Sequence, residues 1–183
     1  MKPSELLREE HREIGRAIAV VRSIADRIDV GEEIDAKIIG DVLFFLMEFA
    51  DLCHHGKEER VLFPAVEERA GDEDRDLIER LMADHRIGRE HIAGMLKASK
   101  EYERGKRNAS ERLAREMLEY VSLLTRHIRL ENSVFADLLD RVFSKEEGEE
   151  LVAKCDEVER ELAVGHDQLL SILGKVECEV KAA

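Results

Sequence analysis

The sequence predicts an all-α protein, an up-down-up-down four-helix bundle with an additional C-terminal helix. Three observations carry this. Apolar residues recur at helical spacing through five long segments, and no stretch alternates with period two over a useful length. Charged residues reach 39% and prolines number only two, Pro3 and Pro64, a composition that suits long solvated helices. The connections are short, which makes successive helices antiparallel neighbours. A chain of 183 residues can bury a core without covalent staples. It divides into residues 1–143 for the bundle and 144–183 for the extra helix, packed on the bundle within the same domain.

The first helix is expected from Glu5 to Asp29, capped by Ser4, with Leu7, Ile14, Ile18, Val21 and Ala25 on one face. Gly31 ends it. Asp35 caps a second helix from Ala36 to Arg69, whose inward stripe is Leu43, Met47, Ala50, Val61, Leu62 and Ala65. Pro64 inside this stretch predicts a kink or a turn. After a break at Ala70-Gly71-Asp72, a third helix runs from Asp74 to Arg104 on Leu77, Ile78, Leu81, Met82, Ile92, Met95 and Leu96. Gly105 to Asn108 form a loop. Asn108 or Ser110 then caps a fourth helix from Ser110 to Phe143. Ser144-Lys145-Glu146-Glu147 has capping-box form and opens a fifth helix to Cys178.

The formal net charge is −13, which leaves no electrostatic footprint for nucleic acid or an anionic membrane. The longest apolar run, Val42 to Met47, is far short of a membrane span. The charged N-terminal stretch lacks the apolar core of a secretory signal. Three cysteines, Cys53, Cys155 and Cys178, form no close motif, and an odd number reads as reduced thiols in a cytoplasmic protein.

The chemistry lies in the histidines. His11 shares its face with Leu7, Ile14 and Ile18. His54 lies on the stripe of the second helix. His85 is in line with Ile78, Leu81, Met82, Ile92 and Leu96, and His127 with Tyr120, Leu123, Leu124, Val134, Phe135 and Leu138. Four bundle helices thus each send one imidazole inward. Two of these are followed four residues later by a carboxylate, Glu58 after His54 and Glu131 after His127. An i,i+4 pair lies about 40° apart on a helix face, so each glutamate joins the stripe of its histidine. An ionised glutamate in an apolar core is costly unless it is paired or ligates a cation. The spacings repeat, 43 residues from His11 to His54 and 42 from His85 to His127, so the two halves read alike.

Four imidazoles and two carboxylates fit neither the closed thiolate site of structural zinc nor the all-oxygen sites of calcium and magnesium. Six nitrogen and oxygen donors from four helices fit two iron ions with Glu58 and Glu131 as bridges, together with an oxo, hydroxo or water bridge. His55 with Glu59 is the rival register in the second helix. Asp51 and Glu48 share its face, so it is expected nearer solvent than His54. His91 is rotated off the inward line and reads as a boundary residue or a donor behind the ligands. His166 lies on the fifth helix as a structural residue or lid contact. Whether His55, Glu59 or His91 joins the site is left open at this level.

The strings Glu10-His11-Arg12-Glu13-Ile14, His54-His55-Gly56-Lys57-Glu58-Glu59-Arg60-Val61-Leu62-Phe63-Pro64, Asp84-His85 and His127-Ile128-Arg129-Leu130-Glu131-Asn132 resemble the hemerythrin-like HHE cation-binding domain of bacteria and archaea. The resemblance covers roughly residues 5–143, and it implies a four-helix bundle around a non-haem di-iron centre with Glu58 as a ligand. It differs from the oxygen-carrying hemerythrins at two places. They have a histidine where this chain has Arg89, and His-x4-Asp where it has His-x3-Glu. The set is more similar to that of the di-iron iron–sulfur-repair proteins. The resemblance implies a small diatomic partner, dioxygen or nitric oxide, bound for sensing, storage or delivery. The alternatives are a redox enzyme consuming peroxide, oxygen or nitric oxide, using a coordination position that the missing histidine leaves open, and an iron donor.

Overall fold

Apolar residues spaced to line one helix face can be buried only against other helices, and the chain builds its interior this way. The computed structural model describes residues 1–69 and 71–182. Its elements are α1 (Pro3–Asp29), α2 (Ala36–Phe45), α3 (Phe63–Glu67), α4 (Asp72–Glu103), α5 (Ala109–Leu130), α6 (Ala136–Val142), α7 (Lys145–Arg160) and α8 (His166–Ala182). Three stretches of π-helix interrupt the rods: π1 (Leu46–His55) and π2 (Glu58–Leu62) between α2 and α3, and π3 (Glu131–Phe135) between α5 and α6. No strand occurs among the described residues.

Side-chain pairings show the directions. Ser4 on α1 donates to Asp140 on α6, and two turns further on His11 meets Asn132 in π3. Along α4, Asp74 pairs with Arg141, His85 with His127 and Glu101 with Arg112. On the other side, Glu59 and Asp51 pair with His85 and Arg89 of α4 in opposite order. In each case one residue number rises as the other falls, so neighbours are antiparallel and the four rods close an up-down-up-down ring.

The element boundaries refine the sequence expectations. Ser4 does not cap α1. Pro3 takes the first helical turn, where its missing N–H is no loss, and the Glu5 carboxylate accepts from the Lys2 backbone N–H. Asp35 caps α2 through the Lys37 N–H, and Ser144 with Glu147 forms the expected capping box. Asn108 sits at the α5 N-terminus with a left-handed φ of 59° and makes no side-chain cap. Helix α4 starts at Asp72 with Gly71 before it; Ala70, part of the expected break, lies outside the described residues. Pro64 does not break the second rod. It falls in the first turn of α3, directly after π2, where the wider turn has already rearranged the backbone bonding that a proline would disrupt. Val134, expected inward, is exposed because π3 turns it outward.

The fifth helix is two helices. The chain leaves α7 at Arg160 and re-enters a helix only after Gly165, so α7 and α8 form a hairpin instead of one rod. The reason is burial. Leu151 and Cys155 of α7 lie against one end of the bundle. Leu169, Leu173 and Val176 of α8 lie against the other, and one straight helix cannot reach both.

The buried apolar residues fall into two clusters. One contains Ile14, Val21, Phe45, Phe49, Met95, Met117, Leu124 and Leu173; the other contains Leu7, Leu62, Phe63, Ile78, Leu81, Phe135 and Leu138. On every rod a polar stretch separates the two, at His11, at His54 to Glu58, at His85 and at His127 to Glu131. The bundle is therefore layered as apolar, polar, apolar. No described helix is long and apolar enough to cross a membrane.

Leu173 is fully buried in the larger cluster. Leu173→Ala is expected to lower unfolding stability by about 2–5 kcal/mol. Urea denaturation checks this, and a loss below about 1 kcal/mol would show α8 to be peripheral to the core.

Candidate metal centre

The polar layer holds five imidazoles and two carboxylates, His11, His54, His55, His85, His127, Glu58 and Glu131, all buried. They form two groups whose ligand atoms lie within 4.8 Å of one another and which could each hold a cation: His55, His85 and His127 with Glu58, and His11 and His54 with Glu58 and Glu131. Glu58 belongs to both. Glu131 also spans them, with Oε2 3.1 Å from His11 Nε2 and Oε1 3.0 Å from His127 Nε2.

The imidazoles meet head to head. His11 Nε2 lies 3.0 Å from His54 Nε2, and His85 Nε2 lies 3.1 Å from His127 Nε2. Adjacent ligands of a six-coordinate cation, each about 2.1 Å from it, stand about 3.0 Å apart. The four shortest nitrogen–nitrogen and nitrogen–oxygen separations match that edge. Both oxygens of Glu58, both of Glu131 and Nε2 of His55 are buried without a hydrogen-bond partner. Orphaned acceptors in an apolar interior are expensive, and cations held by the two groups would satisfy them.

The second ring nitrogen of each histidine faces outward to an oxygen. His11 Nδ1 meets Asn132 Oδ1 at 2.9 Å, His54 Nδ1 meets Glu10 at 2.8 Å, and His85 Nδ1 meets Glu59 at 2.7 Å. His55 Nδ1 lies 3.3 Å from Asp51 and His127 Nδ1 3.6 Å from Asp84. For His11, His54, His55 and His85, acceptors on that side place the proton on Nδ1 and turn the Nε2 lone pair inward, the arrangement that ligating histidines need, whereas Nδ1 of His127 has no hydrogen-bond partner. Cations steady the acids in turn: Arg89 binds both Asp51 and Glu59, Arg126 binds Asp84, and Lys57 binds Glu10.

Protonation follows the same geometry. Burial disfavours charge on His54, His85 and His127, yet the carboxylates around them prevail, and all three sit above the usual imidazole value. Glu58 and Glu10 act on His54, Glu58 and Glu59 on His85, and Glu131 and Asp84 on His127. Burial also opposes the charge on Glu131, but His127 and His11 hold it well below the usual carboxylate range. For His55 burial prevails over Asp51 and the ring stays neutral. These directions favour protonated imidazole at His54, His85 and His127, so a bound cation would compete with protons there.

The six residues expected to face inward, His11, His54, Glu58, His85, His127 and Glu131, come together in this layer. His55, expected nearer solvent than His54 and left open as a ligand, is 3% exposed against 1% for His54, yet it is buried in the layer and its ring stacks on His85 with centroids 3.8 Å apart. The cause is π1. Bonds from i to i+5 widen the turn, so neighbours in sequence are separated by a smaller angle and His54 and His55 both fit the inward arc. A local His-His pair ahead of a glutamate was the available signal; α-helical geometry argued against it. Glu59 stays outside as the partner of His85, and Arg89 takes a similar outer place. His91 lies apart, paired with Glu116 and near Glu119. His166 sits at the start of α8 with its ring edge-on to Phe49. Cys53 is buried beside the site, and all three cysteines are free thiols.

The family model described as hemerythrin HHE cation binding domain matches residues 2–139. No curated protein and no solved structure matches the chain.

Cations bind neutral imidazole, so a cation entering this layer must expel the protons held on His54, His85 and His127. Binding is expected to release protons near neutral pH and to tighten as pH rises from the acid side. Calorimetric titration in buffers of differing ionisation enthalpy measures this, and zero proton release would refute the protonated metal-free state.

Proposed function

This chain belongs to the family of hemerythrin HHE cation-binding domains, and from that premise we propose that it is a non-haem di-iron protein that binds dioxygen or nitric oxide for sensing, storage or delivery. The observation that carries this reading is the sharing of Glu58 between two buried ligand groups. A carboxylate common to two imidazole sets suits a two-metal site and serves no purpose in a one-metal site. Two irons supply redox-active, Lewis-acidic positions for a small ligand when bound.

The protein's own residues set the terms. His55, His85 and His127 offer three nitrogens at one end, and His11 and His54 offer two at the other, with Glu58 and Glu131 directed to both. The two-histidine end has fewer protein donors, so ligand exchange is assigned there. The fifth imidazole comes from His55, so the place that Arg89 fails to fill in the resemblance to oxygen carriers is supplied by the second rod. The outer oxygens of Asn132, Glu10, Asp51 and Glu59 hold the rings of His11, His54, His55 and His85 in the ligating tautomer. The apolar clusters on either side limit water at the centre, which favours a neutral diatomic ligand over a charged one. Loss of Glu58 or Glu131 would deprive the imidazoles of both groups of a carboxylate they share.

Anaerobic incubation with Fe(II), desalting and elemental analysis are expected to give two irons per chain. Glu58→Ala and Glu131→Ala are expected to lose one or both, and His55→Ala to lose the iron of the three-histidine end. Two irons retained in both glutamate variants would overturn the assignment. Exposure of the loaded protein to oxygen and then to vacuum is expected to give a reversible absorption change. Sustained turnover of oxygen, nitric oxide or peroxide would instead make the centre that of an enzyme, and rapid loss of iron to a chelator would make it a donor.

A further inference from the structure

Among the described residues, Lys57 is the one lysine that is fully buried. A buried ammonium costs several kcal/mol of desolvation and persists only where partners compensate it. Lys57 has two. Its Nζ donates to Glu10 on α1 and to Glu159 on α7. The other oxygen of Glu10 accepts from His54 Nδ1 at 2.8 Å, and the other oxygen of Glu159 lies 3.5 Å from His166 Nδ1 at the start of α8. A continuous chain of charged contacts therefore runs from His54 through Glu10, Lys57 and Glu159 to His166.

This link differs from those behind the other histidines. Arg89 and Arg126, which steady the partners of His55, His85 and His127, are partly exposed, and their acidic partners lie on the bundle rods. Of the three cations that steady these outer acids, Lys57 is the one that reaches the α7–α8 hairpin; Arg16 and Arg69 also pair with the hairpin, through Glu177 and Glu147, but at exposed positions away from the ligands. The hairpin also packs directly on the ligand-bearing turn, since a Cβ at Gly56 would stand 3.5 Å from Val158 of α7. Apolar packing alone would dock α7 equally well, and a buried ion pair is seldom the more stable choice. What it adds is a fixed orientation for Glu10, and through Glu10 for the His54 ring.

We propose that Lys57 is a positioning residue that ties the α7–α8 hairpin to the two-histidine end of the metal centre, so that cation occupancy at His54 and docking of the hairpin reinforce each other. The proposal rests on the di-iron reading above and adds a coupling that the ligand set does not contain. A cation on Nε2 makes the Nδ1–H of His54 a stronger donor to Glu10. Glu10 held in place fixes Lys57, and Lys57 holds Glu159. Undocking α7 removes Glu159, admits water to Lys57 and frees Glu10 to turn. Coupling between two equilibria is reciprocal, so a hairpin that strengthens binding at His54 is itself strengthened by that binding.

Two measurements on the full chain test this. The first is iron titration followed as two binding steps, with His11→Ala used to mark the step that belongs to the two-histidine end. Glu159→Gln sits at a half-exposed position and is expected to fold. It should weaken that step about 10- to 100-fold and leave the other unchanged. Lys57→Arg should restore most of the loss seen in Lys57→Met. A purely structural role would move both steps together with stability, and that outcome, or no movement of either step, overturns the proposal. The second is amide hydrogen exchange on the metal-free chain. Glu10→Gln, at the far side of Lys57 from the hairpin, should raise exchange in α7 by roughly tenfold, as expected for loss of one charge-assisted hydrogen bond. Unchanged exchange in α7 breaks the tie regardless of metal. If the wild-type chain takes up no iron, the di-iron reading falls and the reciprocity with it, while the exchange result still decides whether Lys57 joins hairpin to bundle.

Discussion

Glu58 and Glu131 have no exposed surface, yet they lie in the middle of a helical bundle with all four carboxylate oxygens free of hydrogen bonds. Burying an uncompensated carboxylate costs far more than any single apolar contact returns. The surrounding architecture follows from that constraint. Each rod interrupts its apolar stripe once, at the same depth, so that five imidazoles surround the two acids. The interruption divides the core into two apolar clusters, and sliding any rod by one turn would drive a histidine or glutamate into one of them. The polar layer thus sets the register of the bundle, a use of buried polar groups for specificity rather than stability.

Around this layer the charges are arranged in alternating shells. Inward nitrogens meet the two central acids, outward nitrogens meet Glu10, Asp51, Glu59 and Asp84, and these acids meet Lys57, Arg89 and Arg126. A chain with a net charge of −13 places these cations where they orient the donors behind the centre. The shells are asymmetric. Three histidines at one end and two at the other come from a sequence whose halves otherwise repeat, and the difference is one residue, His55.

The π-helical stretches produce that difference. They occur where ligands are carried, π1 ending at His55, π2 beginning at Glu58 and π3 beginning at Glu131. Regular α-helix would present His54 and turn His55 away. Widened turns admit both, keep Glu58 on the same face, and let Pro64 enter without a break. The cost is a less regular hydrogen-bond ladder, sustained because the ligands and the core overdetermine the backbone.

How much was legible in advance differs by element. Helical spacing of apolar residues, scarce prolines and short connections determined the all-α bundle and the direction of its rods, because amphipathic periodicity leaves few ways to bury a stripe. Two His-x3-Glu pairs and two further inward histidines, at spacings of 43 and 42 residues, determined where the polar layer lies, because an i,i+4 pair shares one face whatever the rods pack against. Three things were settled only by tertiary structure. His55 turned inward because packing imposed π geometry on a segment whose local pattern reads as α. The last helix divided at residues 161–165 because Leu151 and Leu173 are buried at opposite ends of the bundle. Lys57, surrounded in sequence by charged residues and indistinguishable there from a solvated surface lysine, became a buried link because Glu10 and Glu159 reach it from helices that are distant in sequence. Local periodicity specifies which face of a helix is apolar; only the assembled bundle decides which charges that face encloses.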